Sequence, residues 1–520
     1  MAKAPGLDFK EKDQSTVVGG SSPKYAGCVF WSLRGRLNEV TLRTTTKKFR
    51  DHYGNEAPGF LGHYACVAAL AQGPVYCLRT ADADDLPRYG GLAFIWDGGS
   101  GDNEQLTVGP EDLDDYSFTG DQCMLVTGEN QGAWNAELKV AVTHDDDDDE
   151  VFYIAIYSLN SAGSYVQVEK DYTCSRVVTK VDGYGKSMYV EDVINDVSAY
   201  IRVKDNTDIS ELLRPSEQET EAQLTGGDNG TAPSSTDIAN AWDTYWKNKN
   251  AAPAKILMAG GQSDAVVVNK LNEICGLRGD CVAINDTANV TAVATLIASR
   301  DLLSLTYPSY SAMYTPYVKA RDANTGKLME LPPSGYVAAA IMRKNREGQI
   351  QNSVFGRDFG ILPVLGCTVD FDDPEVELLA QAEINAIVTQ PGIGTLIWGG
   401  RTLQPSDSAL SWLNVRELLN DDEERAITFL LGWVGRDNIA YERFRVQSGL
   451  EGQFKPRVGS AYYNVDIVCN DDNNTSETID AGDLVVDIYV QPVKSINRIK
   501  FTVTVNRTGQ VTTSESIVAA

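Results

Sequence analysis

Histidine is scarce in this 520-residue chain, which contains three. His52, His63 and His144 are not spaced with cysteines in the way that zinc ligands are, so a zinc site is not expected. The scattered histidines also leave Ser334, in a Pro-Pro-Ser-Gly segment that is not a nucleophile elbow, without an evident general base. We therefore expect no covalent catalysis, no cofactor and no metal.

Cysteines form no short paired motif. The chain has nine, an odd number, and the two that are closest in the sequence are Cys275 and Cys281. In a reducing compartment such residues act as small buried hydrophobic side chains, which is what we predict for them. The alternative is that some of them cross-link subunits after release from the cell.

Basic residues and long apolar runs are also few. The chain has 45 Lys and Arg against 72 Asp and Glu, a formal net charge of -27. Such a charge disfavours binding to nucleic acid or to an anionic membrane. The longest apolar run, residues 426–434, is far shorter than the roughly 20 residues of a membrane-spanning helix. No secretory signal is visible, so we expect the protein to fold in a cytosol.

Alternating α and β patterns occupy residues 23–89 and return in residues 251–371. The second part has a strand at 255–261 that ends in glycines, a helix at 264–275 and another strand at 281–286. These two parts predict one split α/β middle domain. Its Gly260-Gly261 pair lacks the spacing of a phosphate-binding loop, so nucleotide binding is not predicted.

Residues 90–250 interrupt this pattern with short strands between turns, which predicts an inserted small β-sandwich or barrel. Its strands at 136–142 and 151–157 flank the acidic run 145–150. Five adjacent aspartates could attract a divalent cation, but the run lacks the spacing of a calcium-binding loop. We therefore predict a solvated hairpin tip at this place.

The C-terminal part, residues 372–506, begins with a predicted helix at 374–388 and contains predicted strands at 462–468, 484–490 and 499–505. The last strand alternates apolar and polar residues, so that one face carries Ile499, Phe501, Val503 and Val505. A terminal strand of this kind can close its own sheet or be added to the sheet of a neighbour. Residues 507–520 follow as a tail.

Two further features remain open on composition alone. Residues 1–22 form a short alternating segment tethered by glycines, which fits either an extended arm or a disordered terminus. Arg436, Arg443 and Arg445 form a local basic cluster in an acidic chain. This cluster fits either a docking surface for an acidic partner or a solvated helix face with ion pairs inside the subunit.

An ordered series of segments resembles the contractile tail sheath proteins of tailed bacteriophages, a superfamily that includes the sheaths of contractile injection systems. The segments that carry this resemblance are 314–317, 322–326, 331–338, 374–388, 392–403, 413–416, 473–475, 480–482 and 492–499. The resemblance as a whole covers most of residues 5–506, loosely in the insertion and tightly after residue 259.

The resemblance implies an α+β multidomain fold with extended terminal arms, a C-terminal α/β sheath domain, a split middle domain and an outward-facing insertion that the lattice does not need. It implies a structural protein, not an enzyme, located in the virion tail and assembled in the host cytoplasm. Such a subunit polymerises with itself as stacked, hexameric rings around an inner tail tube protein. Baseplate and tail terminator proteins are the other implied partners, and contraction drives the tube through the host envelope.

The resemblance also implies roles for particular residues. Strand exchange between subunits would involve residues from both ends of the chain: Leu7, Phe9, Val17, Val18, Ile499, Phe501, Val503 and Val505. The 372–506 domain would face the tube through Arg436, Arg443 and Arg445.

Two alternatives stay open on the sequence. One is an acidic multidomain carbohydrate hydrolase that uses a carboxylate pair such as Asp112 and Asp114 or Glu423 and Glu424, although 72 acidic residues produce such pairs by chance. The other is the sheath of a non-viral contractile injection system. Polymerisation through the chain termini distinguishes a sheath from a hydrolase.

Overall fold

The computed structural model of the protein describes residues 24–109, 113, 116–160, 162–195 and 197–500. The chain divides between Asp437 and Asn438 into two compact units. The first unit therefore contains the split α/β region and the insertion, and the second contains the remainder of the chain.

The secondary structure is mixed. The strands in chain order are β1 (Ala26–Phe30), β2 (Thr41–Arg43), β3 (Val75–Arg79), β4 (Tyr89–Ile95), β5 (Glu104–Val108), β6 (Gln122–Gly128), β7 (Leu138–His144), β8 (Phe152–Leu159), β9 (Tyr165–Gln167), β10 (Tyr172–Cys174), β11 (Ile201–Asp205), β12 (Gln218–Gln223), β13 (Ile256–Met258), β14 (Val282–Asp286), β15 (Ser311–Thr315), β16 (Val318–Arg321), β17 (Leu328–Leu331), β18 (Gly366–Cys367), β19 (Ile384–Gln390), β20 (Gly394–Ile397), β21 (Tyr462–Val468) and β22 (Asp487–Pro492). The helices are α1 (Thr46–Tyr53), α2 (Leu61–Leu70), α3 (Val190–Ile194), α4 (Ser235–Trp246), α5 (Ala265–Arg278), α6 (Val293–Asp301), α7 (Ser334–Arg346), α8 (Asp373–Gln381), α9 (Leu413–Leu430), α10 (Ala440–Phe454) and α11 (Ser476–Asp480).

An eight-stranded sheet organises the first unit, with the order β2-β3-β1-β13-β14-β15-β19-β20. The strands from β3 to β19 are parallel, and antiparallel β2 and β20 form the two edges. Because β1 pairs with β3 on one side and with β13 on the other, the sheet joins the two parts of the chain that flank the insertion.

Both faces of this sheet are covered. On one face, side chains of α2 and α7 such as Tyr64 and Val337 pack on Phe30 of β1. On the other face, α4 and α5 contribute Trp242 and Leu271. A sheet buried on both faces favours continuously apolar strands, and every residue of β1 is buried.

The insertion consists of two antiparallel sheets. One has the order β11-β6-β4-β5, and the other has β10-β8-β7-β12 with β9 paired to β8. Side chains from both sheets, including Phe94 and Met124 from the first and Val140 and Ile154 from the second, share one hydrophobic core. The two sheets therefore pack face to face.

The predicted helix at 374–388 is wrong in its second half. Helix α8 begins as predicted, because Asp372 forms a capping box with Glu375. It ends at Gln381, and Glu383 has a φ of 58°, which a continuing right-handed helix does not accommodate. The following residues form β19, which pairs with β15 and β20. The sheet of the first unit thus extends beyond residue 372.

The second unit is smaller. Helix α10 contributes Val446, Leu450 and Phe454 to its buried residues, and the ring of Phe454 lies 6.4 Å from that of Tyr462 in β21. Strand β21 has the predicted bounds, whereas the strand expected at 484–490 begins later, at Asp487.

Candidate assembly surfaces

The second unit contains a two-stranded antiparallel ribbon, β21–β22, in which Val465 lies opposite Val490 and Ile467 opposite Ile488. Val465 and Ile467 are buried, whereas Tyr463 and Tyr489 are 61% and 59% exposed. Within the described residues 438–500, no third strand pairs with either outer edge. A two-stranded ribbon has little stability of its own, and its unpaired backbone groups can accept another strand.

The loop between the two strands fixes their register. Asn473 Nδ2 donates to the carbonyl of Val468 at 2.8 Å and to the carboxylate of Asp487 at 3.0 Å. Asn474 Nδ2 donates to the carbonyl of Val485 at 2.9 Å, and its Oδ1 accepts from the Val485 amide at 2.8 Å. These bonds hold the end of β21 against the start of β22, so the two strands of the ribbon have a fixed register.

Most of the residues predicted to exchange between subunits lie outside the described residues. These are Leu7, Phe9, Val17, Val18, Phe501, Val503 and Val505. Ile499 is described, follows the end of β22 and is 79% exposed. The strand-exchange prediction therefore stays a prediction.

The three arginines of the basic cluster have different surroundings. Arg443 is buried, and its guanidinium donates to the carbonyl and side chain of Asn438 at 3.2 and 2.9 Å and to the carboxylate of Asp471. Arg445 is exposed and pairs with Glu442 at 3.1 Å. Arg436 belongs to the first unit, where its guanidinium lies 5.1 Å from the Trp433 ring. Arg443 is thus engaged inside its own unit.

An exposed apolar segment at the end of α9 was not predicted as a surface. Ile427, Leu431 and Val434 are 52%, 64% and 79% exposed. The signal was present in the sequence as the apolar run 426–434, which we used only to argue against a membrane span. Exposed apolar side chains in one place indicate an interaction site.

A buried cluster contains the residues that most resemble an enzyme site. Asp286, fully buried at the end of β14, accepts hydrogen bonds from Ser334 Oγ at 2.6 Å, the Ser334 amide at 2.7 Å and the Gly261 amide at 2.8 Å. Burial raises the pKa of the Asp286 carboxyl to about 6. The cluster ties the loop after β13 to the start of α7. Ser334 is the first residue of α7, and Pro333 occupies the N-cap position.

Other candidate groups are engaged in the fold. Glu423 pairs with Arg416 at 2.9 Å and Glu424 with Lys255 at 2.7 Å, whereas Asp112 and Asp114 lie outside the described residues. All nine cysteines are free and buried, which confirms that they are small buried side chains. Among the described residues, no group of three or more His, Cys, Asp or Glu is placed to hold a metal ion. No helix in the described ranges has the length and hydropathy to cross a membrane.

The acidic run forms the predicted hairpin tip, in the turn between β7 and β8. Asp145 accepts from the backbone amides of Asp147 and Asp148 at 2.9 and 3.1 Å. Lys180 pairs with Asp148 at 2.8 Å and with Glu150 at 2.7 Å. The tip is therefore an ordered turn held by a lysine.

The fold is that of contractile sheath proteins. The chain aligns with the crystal structure of a sheath tail protein from Listeria innocua over 92% of its length and 93% of that chain, with a TM-score of 0.57 and 11% identity. A sheath tail protein from Desulfitobacterium hafniense gives 0.56 at 11% identity, covering 95% and 97% of the two chains. The helical sheath of the anti-feeding prophage in its contracted state gives 0.51 at 12% identity, covering 97% and 100%.

Within that class, the chain is related to the tail sheath proteins of bacteriophages. It is 24% identical to the tail sheath protein of Enterobacteria phage T4 over 323 residues, which are 55% of this chain and 47% of that protein. The chain thus spans about half the length of this curated relative. No protein-family model matches the sequence. The predicted resemblance to contractile tail sheath proteins is confirmed.

Proposed function

We propose that this chain is the structural subunit of a contractile phage tail, without catalytic activity. It polymerises as stacked, hexameric rings around an inner tube and contracts to drive the tube through the host envelope. The β21–β22 ribbon, to which no third strand pairs among residues 438–500, is the observation that carries this proposal. The relation to phage tail sheath proteins favours a virion tail over a non-viral injection system.

The ribbon becomes a larger sheet when strands of neighbouring copies add to its edges. Residues 7–18 of one copy and 499–505 of another are the strands that we assign to this role. Strand addition supplies backbone hydrogen bonds that persist while rigid units rotate about flexible arms. The lattice can then change its pitch without falling apart.

The remaining contacts follow from this arrangement. Residues 372–506 face the tube, and the insertion faces outward. Because Arg443 is occupied by Asp471 and Asn438, Arg436 and Arg445 are the arginines that we assign to the tube surface. Exposed ion pairs are weak and sensitive to salt, so such contacts can break during contraction. Baseplate and terminator proteins bind the two ends of the polymer.

Truncation tests the strand-exchange mechanism. Each terminal strand would add roughly four to six backbone hydrogen bonds at about 1 kcal/mol each. Removing residues 1–18 or 497–520 should therefore leave a folded monomer that does not polymerise, as seen by size-exclusion chromatography and negative-stain microscopy. Removal of residues 507–520 alone is the matched control, and it should still polymerise.

Two outcomes would contradict this mechanism. Sheaths that still form after removal of residues 1–18 or 497–520 would show that the arms are not needed. Unfolding of the 497–520 truncation would show that the last strand closes the sheet of its own subunit.

A further inference from the structure

An apolar groove of about 400 Å³ lies on the first unit, where the end of α2 meets the second half of α7. The small and aliphatic residues that line it include Ala68, Ala71, Ala339, Ala340, Ile361 and Leu362. Among the described residues of this lining, Arg343 is the only charged one, and its Nη2 donates to the carbonyl of Phe359 at 2.6 Å. Alanine side chains leave room for larger apolar side chains, so the groove favours an aliphatic occupant.

One end of the groove lies at the edge of the eight-stranded sheet where β1 and β3 begin. These two strands are parallel, and Ala26 lies opposite Val75. Helix α2 leads into β3 through Gln72, which lines the groove. The guanidinium of Arg346, the last residue of α7, donates to the carbonyl and to the side chain of Gln72, both at 2.8 Å. The end of α7 and the end of the groove are therefore beside the start of β1.

The chain enters β1 at this same edge. Lys24, the first described residue, shortly precedes Ala26, and its Nζ donates to the carbonyl of Glu417 at 3.4 Å. The carboxylate of Glu417 pairs with Lys344 of α7 at 2.7 Å. Residues 1–23, which lie outside the described residues, therefore join the fold close to the end of the groove.

Two valines, Val17 and Val18, are within reach of the groove. The residues from Val18 to Lys24 span up to about 20 Å when extended. The wall that residues 336–343 of α7 provide is about 10 Å long, at roughly 1.5 Å per residue. Residues 19–22 are Gly-Gly-Ser-Ser, a composition that lets a chain reverse its direction. The two valines can thus lie in the groove of their own subunit.

We propose that Val17 and Val18 occupy this groove in the unassembled subunit and leave it when residues 7–18 pair with the ribbon of a neighbour. The inference rests on the proposed function, in which these residues are exchanged between copies. Two valines held in the groove cannot also reach the ribbon of another subunit. The groove therefore competes with the β21–β22 ribbon for residues 7–18, and it lowers the fraction of subunits that are ready to assemble.

Cysteine cross-linking in the full-length monomer tests the docking directly. The variant combines Val17→Cys with Ala71→Cys in the groove, and its matched control combines Val17→Cys with Leu277→Cys. Leu277 is 58% exposed near the end of α5, which covers the opposite face of the sheet and leads into β14 at the same edge. All nine native cysteines are buried, so a short bismaleimide reagent should link the added pairs.

We expect the groove pair to be linked within one chain about tenfold faster than the control pair, because docking raises the effective concentration of the two thiols. Peptide mapping by mass spectrometry identifies the link, and the mass of the denatured product shows whether it joins one chain or two. Equal rates for the two pairs, or links that join only two different chains, would overturn the inference and leave the strand-exchange mechanism intact.

Filling the groove tests its effect on assembly. Ala71→Trp places a large side chain at an exposed position of the groove, and Leu277→Trp is the matched control. If docking holds about nine subunits in ten, release of residues 7–18 should raise the initial rate of polymerisation up to about tenfold. A rate no higher than that of Leu277→Trp would overturn the competition. A wild-type protein that never polymerises would defeat the proposed function, and cross-linking in the monomer would still decide the docking.

Discussion

The eight-stranded sheet of the first unit and the two-stranded ribbon of the second differ in how their strands are buried and how their edges are paired. The sheet has helices on both faces, and every residue of β1 and β14 is buried. The ribbon has one buried and one exposed face, and no third strand from residues 438–500. The first unit therefore has the features of a region that folds alone, whereas the second has those of one that is completed by other chains.

The largest effect on stability is expected from a buried ion pair in the first unit, and it tests this contrast. Lys344 Nζ lies 2.7 Å from the Glu417 carboxylate, and both side chains are almost fully buried. Lys344→Ala would leave a buried carboxylate without its partner, which typically costs about 3–5 kcal/mol of unfolding free energy. Hydrogen exchange should then increase in β14 and β15 while β21 keeps its protection.

The control for this change replaces both partners, Lys344→Met with Glu417→Leu. It should recover most of the lost stability, because no charge remains buried. Equal losses in the single and double variants would show that packing and not charge is responsible. Equal loss of protection in β21 would show that the two units do not unfold independently.

A smaller effect on stability is expected from the protonation of Asp286, which also lies in the first unit. Its folded-state pKa of about 6 lies above the ordinary value of 3.8, so the folded protein holds a proton that the unfolded chain has released. This group therefore stabilises the fold at low pH, and its contribution is lost as pH rises from about 4 to about 6. The loss amounts to about 2–3 kcal/mol.

Asp286→Asn isolates this contribution, because the other carboxylates titrate equally in both proteins. Denaturation at pH 4.5 and at pH 7 measures the unfolding free energy of both proteins. Between these two pH values, the wild type should lose stability relative to the variant. A difference that does not depend on pH would show that Asp286 remains ionised in the folded protein.

The smallest effect concerns the second unit. Arg443→Ala breaks the bonds to Asn438 and Asp471 and should lower the unfolding free energy by about 1 kcal/mol, since Asp471 itself is largely exposed. Arg445→Ala, at an exposed neighbouring position, should change it by less than about 0.5 kcal/mol but weaken assembly on the tube. Urea denaturation and co-sedimentation with tubes measure the two effects. A tube-binding defect in Arg443→Ala without loss of stability would contradict our assignment.

Local signals in the sequence predicted much of this fold. The start of α8, the presence of α5 and the strand at 462–468 all depend on residues within a few positions of each other. Residues 384–388 were misassigned because their apolar spacing fits either a helix or a strand, and pairing with distant β15 decides between them.

The candidate site residues show the same division between features set by local sequence and features set by distant contacts. The basic cluster was visible in the sequence, but the ion pair that engages Arg443 involves Asp471, which lies 28 residues away. The contacts of the Arg34 guanidinium with the rings of Trp134 and Tyr200 were not visible, because they require the insertion to lie beside the segment that follows β1. Contacts of this kind are set by tertiary structure and not by the periodicity of any one segment.

The central claim is that the β21–β22 ribbon is completed by strands from other subunits. A cryo-electron microscopy reconstruction of the assembled polymer, at a resolution that traces the chain termini, tests it most directly. We expect β21 and β22 to be flanked by residues 7–18 of one neighbouring copy and 499–505 of another. A ribbon flanked only by residues of its own chain, or left with both edges unpaired, would contradict the account.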